Sequence, residues 1–334
     1  MSVRVVSDSE VRALLPMADC IEVMAATLAT VARGDAVLPL RSTVWLPDRR
    51  GLLGLMPAYV GDPRAIGIKV VTVMPGNHGT EHDSHQGAVL VFETEHGALR
   101  AVVDASSITA IRTAAVSALA TRILAREDAG DLAILGSGVQ AATHLDGMRS
   151  VRRLTRVRVW SRTPAHARAF AERESARLGL RVEACAGARE AVAGADLVCT
   201  ATSAREPVLC GDWLAPGAHV NAVGACFANA RELDSAAVAR SMLFVDRRES
   251  ARAEAGDFLI PKAEGVFGDD HIRAEIGEVL IGARPGRGSR DEVTLFKSLG
   301  LAVEDLAAAH RVWQRALETG AGTEIELGGL RAPA

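Results

Sequence analysis

The sequence predicts an α/β protein: a doubly wound parallel sheet in the middle of the chain, with a smaller α+β region built on different principles. Three observations predict it. A short apolar run at 132–135 stops at Gly136 and opens into Gly136-Ser-Gly-Val-Gln-Ala141, after which apolar residues recur at helical spacing. Strand-like and helix-like runs then alternate for about a hundred residues, the rhythm of a parallel sheet. Upstream, 39–104 carries strand patterns and a hairpin signal with no helices between them, a different architecture. With 334 residues, 49% of them hydrophobic, the chain can fill two cores.

The elements follow in order. Residues 7–33 read as a helix that Ser7 or Asp8 can cap, with Glu10 three residues after Ser7 and Pro16 splitting it in two. In its second half Cys20, Ile21, Val23, Met24, Ala25, Leu28 and Val31 share an apolar face. Strands are expected at 39–45, 52–59 and 65–73, then a hairpin of 87–93 and 99–104 turning at 95–97. A helix rich in small residues covers 107–121, runs towards 125 and is broken at 129–131. The doubly wound part should hold six strands, at 132–135, 157–160, 181–184, 195–202, 217–225 and 243–246, with helices at 163–178 and 188–193. Residues 272–280 read as helical, 294–300 leads into a long helix at 302–317, and from 323 the pattern carries little signal.

Bulk properties exclude several function classes. A net charge of -3 and 4% aromatic residues give neither a basic patch nor a stacking platform for nucleic acid. No stretch reaches the roughly 18 apolar residues of a membrane helix, and Met1-Ser-Val-Arg-Val-Val lacks the apolar region of a signal peptide. The five cysteines are odd in number and form no C-x-x-C pair, so small buried thiols in a reducing cytoplasm are expected. The segment 77–87 holds His78, His82 and His85, but it reads as a polar loop touching a ligand, and no metal site is expected.

The chemistry starts at the glycines. Gly136 lets the chain turn out of its strand, Gly138 lets a pyrophosphate approach the backbone, and Ala141 lets the new helix pack on the strand. Amide groups at the start of that helix would face the phosphates. Ser161, Arg162 and Thr163 stand 25 to 27 residues after Gly136, where an NAD site commonly has an acid for the ribose hydroxyls. A guanidinium and two hydroxyls suit a 2′-phosphate instead, so NADP(H) is the favoured cofactor and NAD(H) the other possibility. Ligands of such folds sit at strand ends, here 200–203 and 223–226. Two cations stand out upstream. Lys69 interrupts the apolar run 65–73, and Arg112 lies in a helix that must be largely buried. A buried arginine needs an anion, and its own segment has none, which points to a bound carboxylate or phosphate.

Several motifs stand in order along the chain: Leu55-Met-Pro-Ala-Tyr59, Lys69 in its apolar strand, Ser84-His-Gln86, Ile111-Arg-Thr-Ala-Ala-Val-Ser117, the Gly136 loop, Asn221-Ala-Val-Gly-Ala225, Phe296-Lys-Ser-Leu-Gly300 and Ala302-Val-Glu-Asp305. On these the chain resembles the ornithine cyclodeaminase/μ-crystallin family over about residues 5–315. The resemblance implies a homodimer. It implies a substrate-binding and dimerisation domain of 1–112 with 302–334, and an inserted NAD(P)-binding Rossmann domain of 113–301. It implies that Arg41, Lys69 and Arg112 hold a substrate carboxylate. Ser84, His85, Gln86, Gly136, Ser137, Gly138, Val139, Gln140, Ser161, Arg162, Thr163, Thr202, Ser203 and Val223 would line the cofactor, with Glu254 and Ser298 near the reacting centre.

Two positions depart from the cyclodeaminases, which carry a glutamate where this chain has Met56 and an aspartate where it has Cys226. Met56 cannot bind an ammonium by charge, and a thiol does not replace an aspartate as base. The motifs look instead like the μ-crystallin branch, which reduces cyclic ketimines with NADPH. The implied reaction is hydride transfer to the C=N carbon of a small α-imino acid, such as pyrroline-2-carboxylate or piperideine-2-carboxylate. Arg41 and Arg112 would clamp the carboxylate, with Lys69 as first and Glu254 as second candidate to supply the proton. The other readings are an amino-acid dehydrogenase, a deaminase of the ornithine cyclodeaminase type, and a ligand-binding protein without catalysis.

Overall fold

The structure is a computed structural model that describes residues 2–77 and 79–329; His78 lies outside them. The chain opens with β1 (Ser2–Val6), α1 (Asp8–Leu14), α2 (Met17–Ala32), β2 (Ala36–Val37), β3 (Ser42–Trp45), β4 (Leu52–Val60), β5 (Ala65–Val73), β6 (His85–Phe92), β7 (Leu99–Asp104) and α3 (Ala105–Leu124). Its middle follows as β8 (Asp131–Leu135), α4 (Val139–Val151), β9 (Arg156–Trp160), α5 (Pro164–Leu178), β10 (Val182–Ala184), α6 (Ala188–Val192), β11 (Leu197–Thr200), β12 (His219–Ala222), α7 (Ser235–Ala239), β13 (Met242–Val245), α8 (Arg248–Glu254) and α9 (Gly256–Ala263). It closes with β14 (Ile272–Glu275), α10 (Ile276–Leu280), β15 (Thr294–Lys297), α11 (Ala302–Thr319) and β16 (Thr323–Glu326). Two compact units result, 1–112 with 301–334, and 113–300.

In the first unit the described strands form one eight-stranded sheet in the order β16-β1-β7-β6-β5-β4-β2, with β3 paired to β4. Only β1 and β7 run parallel; the other pairs are antiparallel. Side chains alternate strictly, so β4 buries Leu52, Met56 and Ala58 while Leu53, Leu55 and Pro57 face the other way. The buried face is covered by α11, which lies on β4, β5 and β6 and beside α2. Gly67 makes that packing possible: a Cβ there would stand 2.6 Å from the Leu306 side chain and 2.4 Å from the Leu90 carbonyl. The opposite face is apolar too. Pro57, Ile68, Leu90 and Val102 align across four strands, with Tyr59, Ile66 and Phe92 in the next outward-facing row, and none of them is fully buried. The tail beyond 323, which carries little signal in the sequence, pairs as β16 with β1.

In the second unit a parallel eight-stranded sheet, counted over the described residues, runs β10-β9-β8-β11-β12-β15-β13-β14. This corrects the six strands expected. Residues 272–280 are not one helix: Ile272–Glu275 is a strand, and the helix starts only at Ile276. Ile272, Ile276 and Leu280 recur every four residues and imitate a helical face, although Ile272 and Ala274 are buried in strand alternation. Thr294–Lys297 is also a strand, inserted between β12 and β13 and buried at all four positions. Full burial removes the alternation by which a strand is read. The helix α3, which links the two units along the chain, is long and apolar enough to pass as a membrane span, contrary to expectation; 83% of that window is buried inside the protein.

Candidate active site

Lys69 sits on the buried face of β5, because the alternation that buries Gly67 and Val71 buries it as well. Its Nζ lies 2.6 Å from Asp305 Oδ2 and 3.4 Å from Thr109 Oγ1. The other oxygen of Asp305 accepts a hydrogen bond from Arg112 Nε at 2.8 Å, and Arg112 Nη1 donates to Glu304 Oε2 at 2.9 Å. Glu304 and Asp305 come from the first turn of α11, where Glu304 also accepts from the Leu301 amide at 3.1 Å. Both carboxylates are wholly buried.

The anion that Arg112 requires is therefore built into the protein. This corrects the expectation that a bound ligand alone explains its burial: the acids missing from its own helix arrive from about 190 residues downstream. Burial raises the Asp305 carboxyl, but the Arg112 and Lys69 cations outweigh that and hold it below its usual range. Lys69 is pushed down to about 8 by burial, against the pull of Asp305 and with the help of Arg112 and Arg41. Arg41 precedes β3 and is half-buried, close enough for its charge to be felt at Lys69. The structure thus brings Arg41, Lys69 and Arg112 together. Directly across the strand pair from Lys69 stands Met56, 6% exposed, which gives the ammonium an apolar neighbour where a glutamate would give it an anion.

Ser84, His85 and Gln86 stand apart from this cluster, at the start of β6. His85 and Gln86 are exposed; Ser84 Oγ lies 3.1 Å from His85 Nδ1, and Gln86 Nε2 donates to the Asp83 carbonyl.

In the second unit the fingerprint behaves as its residues require. Gly136 has φ +124°, and a Cβ there would stand 2.3 Å from the Ala201 carbonyl, so the exits of β8 and β11 touch. These strands flank the point where sheet order reverses, the place where open α/β sheets take ligands. Gly138 caps α4, and a Cβ there would meet nothing within 4 Å. The start of α4 therefore carries no side-chain cap and has open space at Gly138, where a dinucleotide pyrophosphate would fit. Ala141 is fully buried beneath the turn. Ser137 Oγ donates to Ser161 Oγ at 3.1 Å, which joins the glycine loop to the exit of β9, where Arg162 and Thr163 are exposed.

The exits of β11 and β12 are held by a group the sequence reading missed. Glu232, wholly buried, accepts from Thr200 Oγ1 (2.7 Å), Thr202 N (2.7 Å), Thr202 Oγ1 (2.7 Å) and Gly224 N (2.6 Å). Asp257 Oδ1 takes the Glu232 and Leu233 amides, and its Oδ2 pairs with Lys297 Nζ at 2.9 Å. Thr202, Ser203 and Val223 are thus positioned together, and Ser298, whose amide donates to the Ala222 carbonyl at 3.0 Å, lies beside Val223. Glu254 ends α8, half-buried. Nothing short-range in the sequence marks Glu232, whose donors lie 8 to 32 residues away in the chain.

A family model described as the ornithine cyclodeaminase/mu-crystallin family matches residues 2–320. The chain belongs to this family. Among its relatives, ketimine reductase mu-crystallin of Mus musculus is 44% identical over 280 residues, 84% of this chain and 85% of its own length. The solved structure of Thermococcus litoralis Δ1-pyrroline-2-carboxylate reductase, in complex with NADH and L-proline, superposes with a TM-score of 0.94 at 39% identity, covering 96% of this chain and 99% of that one. An archaeal alanine dehydrogenase dimer with bound NAD gives 0.92 at 29% identity, covering 98% and 100%. The likeness runs the length of the family fold, including both the sheet that carries Lys69 and the parallel sheet that carries the glycine loop.

Proposed function

We propose that this chain is an NAD(P)H-dependent imine reductase acting on a small, cyclic α-imino acid of the Δ1-pyrroline-2-carboxylate or Δ1-piperideine-2-carboxylate kind. The observation that carries the reading is the Lys69 cluster. Lys69 and Arg112 share the Asp305 carboxylate, Arg112 also holds Glu304, and the charge of Arg41 reaches Lys69, so cations from three elements converge at one place. A substrate carboxylate is the anion such a group suits. With a pKa of about 8, Lys69 is mostly protonated at neutral pH yet releases its proton readily, as a general acid for an imine nitrogen should. Glu254 is the second candidate for that proton. Met56, with no charge to hold an ω-ammonium, suits a hydrocarbon ring better than a diamine.

When bound, a reduced nicotinamide supplies the hydride. Lys69 would protonate the imine nitrogen, which makes its carbon the electrophile, while Arg112 and Arg41 hold the carboxylate; with the hydride added the C=N bond becomes CH–NH, and the lysine regains its proton from water. The names of the mouse and Thermococcus litoralis relatives support this reaction, and the NADH and NAD of the two solved relatives support a nicotinamide cofactor on the second unit. The exposed guanidinium of Arg162, between Ser161 and Thr163, supports a preference for NADPH. The apolar outward face of the first sheet, and the dimeric archaeal relative, support a homodimer joined through the first unit. Five free thiols among the described residues suit the cytoplasm.

The test is a panel with purified protein. Loss of reduced-nicotinamide absorbance with either cyclic imino acid, faster than NAD(P)+ reduction with L-alanine and without ammonia release from L-ornithine, is the expected result. Turnover of L-alanine alone would move the protein to the amino-acid dehydrogenases. Tight NADPH binding with no turnover of any imine would leave a binding protein.

A further inference from the structure

We infer that Glu232 is a positioning residue for the nicotinamide end of the cofactor: its carboxylate sets the spacing between the exit loops of β11 and β12. The inference rests on the reading above that these loops hold a nicotinamide.

Three features support it. The four donors on Glu232 come from both loops, two from Thr202 and one each from Thr200 and Gly224, and they use all four lone-pair directions of an ionised carboxylate. With no exposed surface and every acceptor engaged, the side chain has nothing left to offer a ligand directly. Gly224 shows how close the loops come: a Cβ there would stand 2.1 Å from the Thr202 carbonyl and 2.5 Å from Glu232 Oε1. Any larger residue would force the loops apart. Finally, Glu232 is itself held. Asp257 takes its amide, and Lys297 offsets part of the buried charge of the pair. Burial and then Asp257 push the Glu232 carboxyl upward, while Lys297 and the two threonine hydroxyls pull it back. The ionised form accepts all four donors at once.

The carboxylate also closes the neck of the segment 224–232, from Gly224 N back to Glu232. That segment carries Cys226, the residue that stands where cyclodeaminases have an aspartate, and exposes Phe227 at its tip. A loosened neck therefore acts first on the residues around the reacting end of the cofactor: none of the four donors belongs to the glycine loop or to Ser161, and Ala201, which touches Gly136, is held separately by its amide on the Leu135 carbonyl at 2.8 Å.

Glu232→Gln puts an amide NH2 where two donors need an acceptor. The dissociation constant for NADH should rise at least about tenfold, whereas ADP-ribose, which lacks the nicotinamide, should bind within about twofold of wild type. An equal loss for both ligands, as general damage would give, overturns the inference, and so does an unchanged NADH affinity. A wild-type protein that binds neither of these ligands nor NADPH would instead overturn the function proposed above. Should Glu232→Gln fail to fold, Thr200→Val removes one donor and keeps the carboxylate. About a threefold loss for NADH alone is then expected, and no selective loss overturns the inference.

Discussion

Lys69 and Lys297 are the same residue type, 4% and 1% exposed, each within 3 Å of an aspartate, yet they are driven in opposite directions. Burial pulls both down. At Lys69 it wins, because Arg112 and Arg41 stand nearby, and the ammonium drops to about 8. At Lys297, Asp257, the Cys226 thiol and Glu232 outweigh burial and hold the ammonium above its ordinary value. Beyond its aspartate, Lys69 feels two cations and holds a labile proton; Lys297 feels a carboxylate and a thiol and holds a fixed one. Burial alone, then, does not distinguish a chemical lysine from a structural one. The sign of the charge around it does.

Replacing each lysine by methionine separates the two roles most sharply. Lys69→Met should lower kcat/KM by roughly two to four orders of magnitude, the range for loss of a general acid, with little change in cofactor affinity. In wild type kcat/KM should fall as pH rises past about 8, since the protonated form is the active one, and the variant should lose that limb. Stability gives the sign independently. Between about 8 and 10.5 the unfolded chain holds a proton on Lys69 that the folded chain has shed, so wild type gains stability relative to Lys69→Met as pH rises through that window. Urea titrations of both proteins across it would reveal a contrary slope.

Lys297→Met should do the reverse. Asp257 and Glu232 lose their buried countercharge, and stability should fall by about 3–5 kcal/mol, with the pH limb of any remaining activity unmoved. A shift of that limb would mean the two lysines do not divide the work as described. A smaller change tests the cause of the Lys69 depression. Met56→Glu puts a carboxylate across the strand pair from Lys69, and the alkaline limb should move to higher pH. Arg162→Ala is the mildest: the KM for NADPH should rise roughly tenfold while that for NADH stays put. An unchanged ratio of the two would remove Arg162 from any contact with a 2′-phosphate.

Much of this was readable in the sequence, for local reasons. The turn from β8 to α4 needs glycine at one residue and a small residue at another, and both requirements are met within six positions. Lys69 and Arg112 were conspicuous because a charge in an apolar run is rare. Their partners were not. Asp305 and Glu304 open a helix, where acids are ordinary helix-start residues, and nothing in their surroundings says that they face two cations instead of water. Glu232 was hidden for the same reason, since its donors lie 8 to 32 residues away, at the ends of two strands and in the loops that follow them. β14 and β15 escaped because four-residue strands in the interior of a parallel sheet leave no periodicity to read.

The distance between Arg112 and its acids has a consequence for synthesis. A ribosome that has just finished α3 has exposed a guanidinium meant for the interior, and the carboxylates that neutralise it are still uncoded by some 190 residues. At ordinary elongation rates of about 5–20 residues per second, that is a wait of roughly 10–40 seconds. The part of the protein that leaves the tunnel first is thus the part that can finish last, and the inserted parallel sheet has time to assemble before the ends of the chain come together.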